Sequence, residues 1–155
     1  MLEHAEQSGL RERQVVEFFE RWGESFPAFC HSFELLADDC VWDQRPVPRL
    51  IGAKGAVRFL TVARRTVGLE TCEVEVLRVA TTGDVVIVER IDRLRRADGS
   101  LIAAAPAVGV FTFSGDQVTF WRDYFDSAEF GGQVLFSTLC HGVRSLGRAL
   151  RTLTR

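Results

Sequence analysis

Residues 71–92, TCEVEVLRVATTGDVVIVERID, carry the pattern that decides the fold. Cys72, Val74 and Val76 alternate with two glutamates, which is the period of a strand that buries one face. The turn sequence TTGD then leads into an apolar run that becomes charged at ERID. The stretch therefore predicts two strands joined by a tight turn.

The strand pattern continues beyond this stretch. Asp98 and Gly99 mark a hairpin turn before a long apolar strand at residues 101–113. Pro106 and Gly109 within that strand are typical of an edge, a bulge or a bend. A curved sheet is therefore expected.

A last strand and a last helix follow the turn SGDQ. The strand covers VTFWRDYFD at residues 118–126, and Asp126 with Glu129 resembles a capping box that begins a helix. Apolar residues line one face of this helix: Leu135, Leu139, Val143, Leu146 and Leu150. We expect residues 131–155 to form an amphipathic helical extension with a basic end, within one domain covering residues 1–155.

The N-terminal half shows helical periodicity instead. Apolar spacing predicts a helix over residues 10–23, and Pro27 can begin a second helix that ends near Asp38 and Asp39. A short strand, CVWDQ, and an extended loop, RPVPRLIG, come next. A third helix is marked by Ala56, Leu60, Ala63 and Val67. Helices followed by an antiparallel strand run favour an α+β fold, with the helices packed on one face of the sheet.

The composition excludes several classes of protein. The chain has 155 residues, 46% of them hydrophobic and 26% charged, which suits one domain with a real core. A net charge of −2 with scattered basic residues offers no surface for nucleic acid. The N-terminus is polar, and no apolar run is long enough to cross a bilayer, so we expect a cytoplasmic protein.

The cysteines and histidines show no metal-binding pattern. The four cysteines lie far apart within apolar patterns and are expected to be buried free thiols. The three histidines also lack the spacing of metal ligands. We therefore expect no metal site.

The sequence WRDYFD raises the question of function, because it places a carboxylate among aromatic side chains. Side chains two apart on a strand share a face, so Trp121, Asp123 and Phe125 point the same way. The same rule places Arg90 and Asp92 on one face of the strand that ends in ERID. These two faces are candidates for a functional site.

A third strand adds further candidates. Trp42 and Gln44 share a face of CVWDQ, by the same rule. If all three strands turn these faces toward one concavity, the pocket holds two carboxylates, a guanidinium, an amide and aromatic walls. Such a set can carry out acid–base chemistry on a neutral organic molecule. The expected apolar walls are Phe59, Leu60, Trp121 and Phe125, together with Trp42.

Each of these residues also has a purely structural interpretation. An Arg and an Asp two apart on a strand often form only a surface cross-strand pair, and Asp123 could pair with Arg90 or Arg95 for structure alone. Trp42 and Gln44 taken singly are ordinary core and surface residues. The residues alone thus indicate a small α+β domain with a candidate polar pocket.

A family resemblance narrows this choice. ERIDRLRRADGS and VGVFTFSGDQVTFWRDYFD resemble the limonene-1,2-epoxide hydrolase family, most strongly between Val86 and Phe130. The resemblance covers most of the chain except the N-terminal residues and the tail after Gly131. It implies the NTF2-like cone, a curved mixed or antiparallel sheet with the N-terminal helices packed over it, which is also seen in ketosteroid isomerase and SnoaL-type cyclases.

The resemblance also implies roles for three residues. Asp123 matches the base that takes a proton from a water, and that water attacks an epoxide carbon without a covalent enzyme ester. Asp92 matches the acid that protonates the epoxide oxygen, and Arg90 matches the arginine that holds both carboxylates. The implied reaction needs no cofactor, and its substrate would be an apolar epoxide.

The chain departs from the family pattern at the water-positioning pair. The family commonly has Tyr and Asn where this chain has Trp42 and Gln44. Trp donates a hydrogen bond but cannot accept one, whereas Gln does both on a longer arm. This departure keeps other activities open: an epoxide-opening cyclase in which a substrate hydroxyl replaces water, or an isomerase or aldol-type cyclase acting on a carbon acid. A non-catalytic binding module belongs to a different class and needs no such triad.

The expected partners follow from these patterns. We expect the C-terminal helix to pack on its own domain or on a dimer partner, and we expect a homodimer. A basic amphipathic helix could also lie on a membrane surface, a contact that we do not expect here.

Overall fold

The computed structural model describes the backbone of residues 2–153 and the side chains of residues 6–143. Within this part, four helices and six strands form an α+β fold. The helices are α1 (Leu2–Glu24), α2 (Phe26–Ser32), α3 (Gly52–Val67) and α4 (Ser127–Leu153), with one 3₁₀ turn at Phe33–Leu35. The strands are β1 (Leu36–Asp43), β2 (Leu50–Ile51), β3 (Thr71–Thr82), β4 (Val85–Arg95), β5 (Leu101–Ser114) and β6 (Gln117–Phe125).

The strands form one mixed sheet in the order β2-β1-β6-β5-β4-β3. Strands β3 to β6 pair antiparallel in chain order, whereas β1 pairs parallel with β6. The three turns predicted between them are present; the turn between β4 and β5 places Gly99 at a φ of 79°, where a side chain would be strained. The predicted curved sheet is confirmed.

The core lies between the N-terminal helices and one face of the sheet. Phe18 and Phe19 of α1 pack edge-on against Phe111 of β5 and Trp121 of β6. Both of these sheet residues are fully buried. These large aromatic side chains fill the space between the N-terminal helices and the curved sheet.

Two expectations about the N-terminal half are wrong. Helix α1 begins at Leu2 instead of residue 10, and the second helix ends at Ser32 instead of near Asp38. Strand β1 begins at Leu36, which pairs with Val118 of β6. Pairing with a neighbouring strand overrides a helical apolar spacing that continues through this segment.

The interpretation of Pro106 and Gly109 also needs correction. Strand β5 is not an edge strand, because it lies between β4 and β6. Pro106 is tolerated where β5 runs past the end of β6, since the pairing with β6 starts only at Ala107. The irregularity in β5 lies elsewhere, at Ile102, which has no partner residue between Leu94 and Arg95 of β4.

The C-terminal helix begins as predicted. The Asp126 carboxylate accepts hydrogen bonds from the backbone N–H groups of Ala128 and Glu129, at 3.0 and 2.9 Å. The side-chain oxygen of Gln133 then accepts a hydrogen bond from the backbone N–H of Ala104 at 2.8 Å. This bond gives a partner to a backbone donor in the part of β5 that extends beyond β6. Helix α4 thus packs against the end of β5 that β6 does not reach. None of the described helices is long and apolar enough to span a membrane.

The cysteine prediction is confirmed in part. All four are free thiols, and Cys40 and Cys72 are buried in the core. Cys30 and Cys140 are only half-buried, because they lie on α2 and on the outlying helix α4.

Candidate active site

An arginine between two aspartates lies on the concave face of the sheet. Arg90 and Asp92 come from β4, and Asp123 comes from β6, with β5 between the two strands. Side chains can meet across β5 because the intervening residues are small: Ala105, Ala107 and Gly109. The run AAAPAVG in β5 is therefore part of the site.

Gly109 leaves no room for a side chain. A Cβ atom placed on it would lie 2.7 Å from Nη1 of Arg90 and 3.1 Å from Oδ1 of Asp123. Its backbone conformation is ordinary for a strand, so the requirement for glycine comes from this close approach alone. In the sequence, Gly109 indicates only an edge, a bulge or a bend of the strand, and nothing there predicts its close approach to Arg90 and Asp123.

Arg90 connects both carboxylates. Its Nε donates to Oδ1 and Oδ2 of Asp92 at 2.9 and 3.2 Å, and its Nη2 donates to Oδ1 of Asp123 at 3.0 Å. The guanidinium also lies 4.5 Å above the ring of Phe19, from α1. Only 2% of the Arg90 side chain is exposed, so its guanidinium is largely shielded from solvent between the two carboxylates.

Asp123 accepts two further hydrogen bonds from indole groups. Nε1 of Trp121 donates to Oδ1 at 2.9 Å, and Nε1 of Trp42 donates to Oδ2 at 3.1 Å. The two indoles are stacked, with ring centroids 4.2 Å apart, because the parallel register of β1 and β6 pairs Trp42 with Trp121. Asp123 is thus surrounded by donors, which suits an ionised carboxylate that only accepts.

The two carboxyl groups differ in their surroundings. Burial raises the pKa of Asp92 above its ordinary value, against the attraction of Arg90 and with a further contribution from the charge of Asp123. Among the residues that the structure describes, Asp92 receives hydrogen bonds only from Arg90, whereas Asp123 receives them from three residues. Burial disfavours the charge on Arg90, but the two carboxylates outweigh it and raise the pKa of Arg90 above its usual range. The arginine therefore stays charged between the two acids.

These groups line a cavity of about 370 Å³. Its remaining walls are mostly aromatic and aliphatic, and the volume is in the range of small-molecule sites. Of the predicted wall residues, Phe59, Leu60 and Phe125 line the cavity, as do Trp42 and Gln44. Trp121 does not line it; this residue lies one layer deeper, behind Trp42, and contacts Asp123 from there.

Gln44 carries a free donor into the cavity. It follows the end of β1, is only 8% exposed and lines the cavity. Its Nε2 has no hydrogen-bond partner among the residues that the structure describes. A buried, unpartnered amide is costly unless a bound molecule pairs with it.

The last helix and the loop after β1 complete the walls. Phe130 and Val134 of α4 line the cavity, and so do Pro46 and Val47. The spacing of four between Phe130 and Val134 was a signal in the sequence that they share a helix face. Arg122, the other charged residue of WRDYFD, points away from this cavity and pairs with Asp43 at 3.0 Å.

The fold and site define a class of protein: a cone-shaped α+β domain with a carboxylate–guanidinium–carboxylate centre in an apolar cavity. A model of the limonene-1,2-epoxide hydrolase catalytic domain matches residues 13–135. The chain therefore belongs to the limonene-1,2-epoxide hydrolase family.

Individual relatives agree with this assignment. Epoxide hydrolase EphG of Mycobacterium tuberculosis is 35% identical over 91 residues, which is 59% of this chain and 58% of EphG; the match thus spans little more than half of that relative. An LEH-like epoxide hydrolase structure from M. tuberculosis has a TM-score of 0.64 and 26% identity, covering 90% of this chain and 95% of that one. A SnoaL-like protein from Jannaschia sp. CCS1 shares the fold alone, with a TM-score of 0.61, 19% identity and coverage of 77% and 87%.

Proposed function

We propose that the protein is an epoxide hydrolase that adds water to an apolar epoxide in one step and releases a vicinal diol. The observation that carries this proposal is the Asp92–Arg90–Asp123 network in the wall of a largely apolar cavity. Family membership supports the same reaction class.

Asp92 is the general acid in this proposal. Its pKa is raised by burial, so it retains a proton at a pH where an exposed aspartate has lost it. An epoxide is strained but leaves as a poor alkoxide, and a proton delivered as the C–O bond breaks removes that difficulty. Asp92 therefore faces the epoxide oxygen.

Asp123 is the general base. It takes a proton from a water while the water oxygen attacks one epoxide carbon and the C–O bond on that carbon breaks. The epoxide oxygen takes the proton of Asp92, so the products are a diol, a protonated Asp123 and an ionised Asp92. Arg90, bonded to both carboxyl groups, stabilises whichever one is ionised, and exchange with solvent resets the pair.

Trp42 and Gln44 have different roles in positioning the reacting groups. The N–H of Trp42 is committed to Oδ2 of Asp123, so Trp42 orients the base. The unpartnered amide of Gln44 is the group that holds the water or the substrate. The water is thus placed by Asp123 and Gln44.

The cavity walls indicate the substrate class. Phe59, Leu60, Phe125 and Phe130 present aromatic and aliphatic surface to any bound molecule. Burying such surface favours an apolar epoxide, because each Å² removed from water contributes roughly 25 cal/mol.

An epoxide-opening cyclase is a second candidate, favoured by the residue at position 42. Because the indole N–H of Trp42 is used on Asp123, Gln44 is the one side chain of the predicted water-positioning pair left to hold a nucleophile. A hydroxyl of the substrate itself needs less help than a free water, since it is already tethered near the epoxide. The same acid and base then give a cyclic ether.

A panel of cyclic terpene and polyketide-like epoxides tests the proposal. We expect the wild-type protein to give diols, and Asp92→Asn and Asp123→Asn to lose turnover with the fold intact. Asp116→Asn, on an exposed turn, is the matched control and should retain full activity. Diol formation that survives in both active-site variants would contradict the assigned roles.

A further inference from the structure

A groove of about 420 Å³ lies beside the active-site cavity, where β1 and β6 end. Arg45 and Arg122 line it together with Asp43 and Tyr124, and we call it the arginine groove. Part of its wall, including Asp123, is shared with the active-site cavity. The proposed reaction makes no use of the two arginines.

The charges around the arginine groove are unbalanced. Asp43 has only 4% of its side chain exposed, and its carboxylate accepts a hydrogen bond from Nη2 of Arg122 at 3.0 Å, because the register of β1 and β6 pairs these two residues. Two more guanidinium groups lie within ion-pair distance of the same carboxylate: Arg49 at 3.6 Å and Arg45 at 3.9 Å. Three positive charges therefore surround one negative charge.

Other surface ion pairs do not show this excess. Within the part of the chain that the structure describes, they join one arginine to one acid: Arg64–Glu70, Arg78–Glu89, Arg93–Glu75 and Arg95–Glu73. Asp123, the other acid in the wall of the groove, is already engaged by Arg90 and by two indole N–H groups. The surplus positive charge of the groove is thus left without a balancing acid in its wall.

The free donors of the groove indicate the class of ligand. A guanidinium carries five N–H groups in a fork that fits two oxygens of a carboxylate or a phosphate. Arg122 donates to Asp43, whereas neither Arg45 nor Arg49 donates a side-chain hydrogen bond to another described residue. The side chains of Arg45 and Arg49 are 84% and 59% exposed, so an incoming molecule can reach these donors. Such a site attracts an anion and repels a cation.

We propose that the arginine groove binds an oxyanion, a carboxylate or phosphate group, through Arg45 and Arg122, with Arg49 adding to the attraction. The bonds are charge-assisted, and their strength falls as salt screens the exposed charges. The oxyanion belongs either to a separate small molecule or to a substrate whose epoxide lies in the adjoining cavity.

Isothermal titration calorimetry of the full-length protein with pyrophosphate at low ionic strength tests the groove. We expect saturable binding that weakens as NaCl is added, and we expect Arg45→Gln to weaken it at least fivefold. Arg45→Lys keeps the charge but loses the fork, so its affinity should lie between these two. Arg13→Gln is the matched control, because it removes one exposed arginine of α1, outside the groove, and it should bind as wild type does.

Two results of the titration would overturn the proposal. One is the absence of saturable binding by the wild type at low ionic strength. The other is an equal affinity of the wild type and Arg45→Gln, which would mean that pyrophosphate binds elsewhere.

A pair of epoxides distinguishes the two sources of the oxyanion: an epoxide with a terminal carboxylate, and its methyl ester. If the substrate carries the oxyanion, Arg45→Gln should raise KM for the acid at least fivefold and leave KM for the ester unchanged. If the oxyanion is a separate molecule, neither KM should change while pyrophosphate binding still depends on Arg45. This comparison rests on the proposed function, whereas the calorimetry does not, so a protein that opens no epoxide can still support or overturn the anion site.

Discussion

Gly109→Ala is the substitution whose effect follows most directly from the geometry of the site. The new Cβ would lie 2.7 Å from Nη1 of Arg90, 2.9 Å from Cε2 of Phe111 and 3.1 Å from Oδ1 of Asp123. Ordinary contact begins near 3.4 Å, so the guanidinium nitrogen must retreat by about 0.7 Å. Because the ring of Phe19 lies against the guanidinium, the displacement passes to both carboxylates.

Displacement of this size has a large expected effect on the reaction. A misplacement of about 1 Å at reacting groups costs roughly 10²-fold in rate, so we expect kcat to fall by about that factor. KM should change little, because the apolar walls of the cavity are untouched. Overpacking should also lower the free energy of unfolding by about 1–3 kcal/mol.

Steady-state kinetics on an epoxide that the wild type hydrolyses, together with a thermal melt, measure both effects. Gly9→Ala is the control, since a Cβ there meets nothing within 4 Å, and it should leave kcat unchanged. A Gly109→Ala variant with kcat within threefold of wild type and an unchanged Tm would refute the reasoning that glycine is required for the network to form.

Further predictions concern the acid, the base and the positioning groups. Because the pKa of Asp92 is raised and its acid role needs the proton, kcat should fall as pH rises through that pKa, and a flat alkaline limb would argue against the role. Because the pKa of Asp92 is raised in the folded protein, the contribution of Asp92 to the free energy of unfolding is present at low pH and is lost as pH rises through that pKa. Above that pKa, Asp92→Asn should therefore have a higher free energy of unfolding than the wild type, measured by urea titration. Trp42→Phe removes the donor to Asp123 and should cost about 1.5–3 kcal/mol of stability, measured by denaturant unfolding. Gln44→Ala should reduce turnover more than ligand binding, and equal losses would mean that Gln44 holds the substrate and not the water.

The grouping of the candidate catalytic residues could be predicted because it depends on local sequence. Strand parity alone groups Arg90 with Asp92 and sets Asp123 between aromatic side chains, and the structure brings all three together. The turns around Gly83, Gly99 and Gly115 mark the antiparallel run equally well, because turn geometry depends on a few adjacent residues.

Features that depend on distant pairing could not be predicted. The helical spacing that reaches Leu36 gave no sign that β1 would pair with β6, some eighty residues further along the chain. The indole pair of Trp42 and Trp121 follows from that register, so the part of Trp121 in holding Asp123 was also hidden. Gly109 of β5 was interpreted as a strand irregularity, because its role beside Arg90 and Asp123 appears only when β4 and β6 flank β5.

A single-turnover experiment in oxygen-18 water, with enzyme in excess over an apolar epoxide, tests the central claim most directly. Direct attack of a water activated by Asp123 predicts that the first-formed diol carries one labelled oxygen and that Asp123→Asn forms none. An unlabelled diol would mean that a carboxylate oxygen of the enzyme attacked first, and an unlabelled cyclic ether would mean that a substrate hydroxyl did. Either result would contradict one-step hydrolysis.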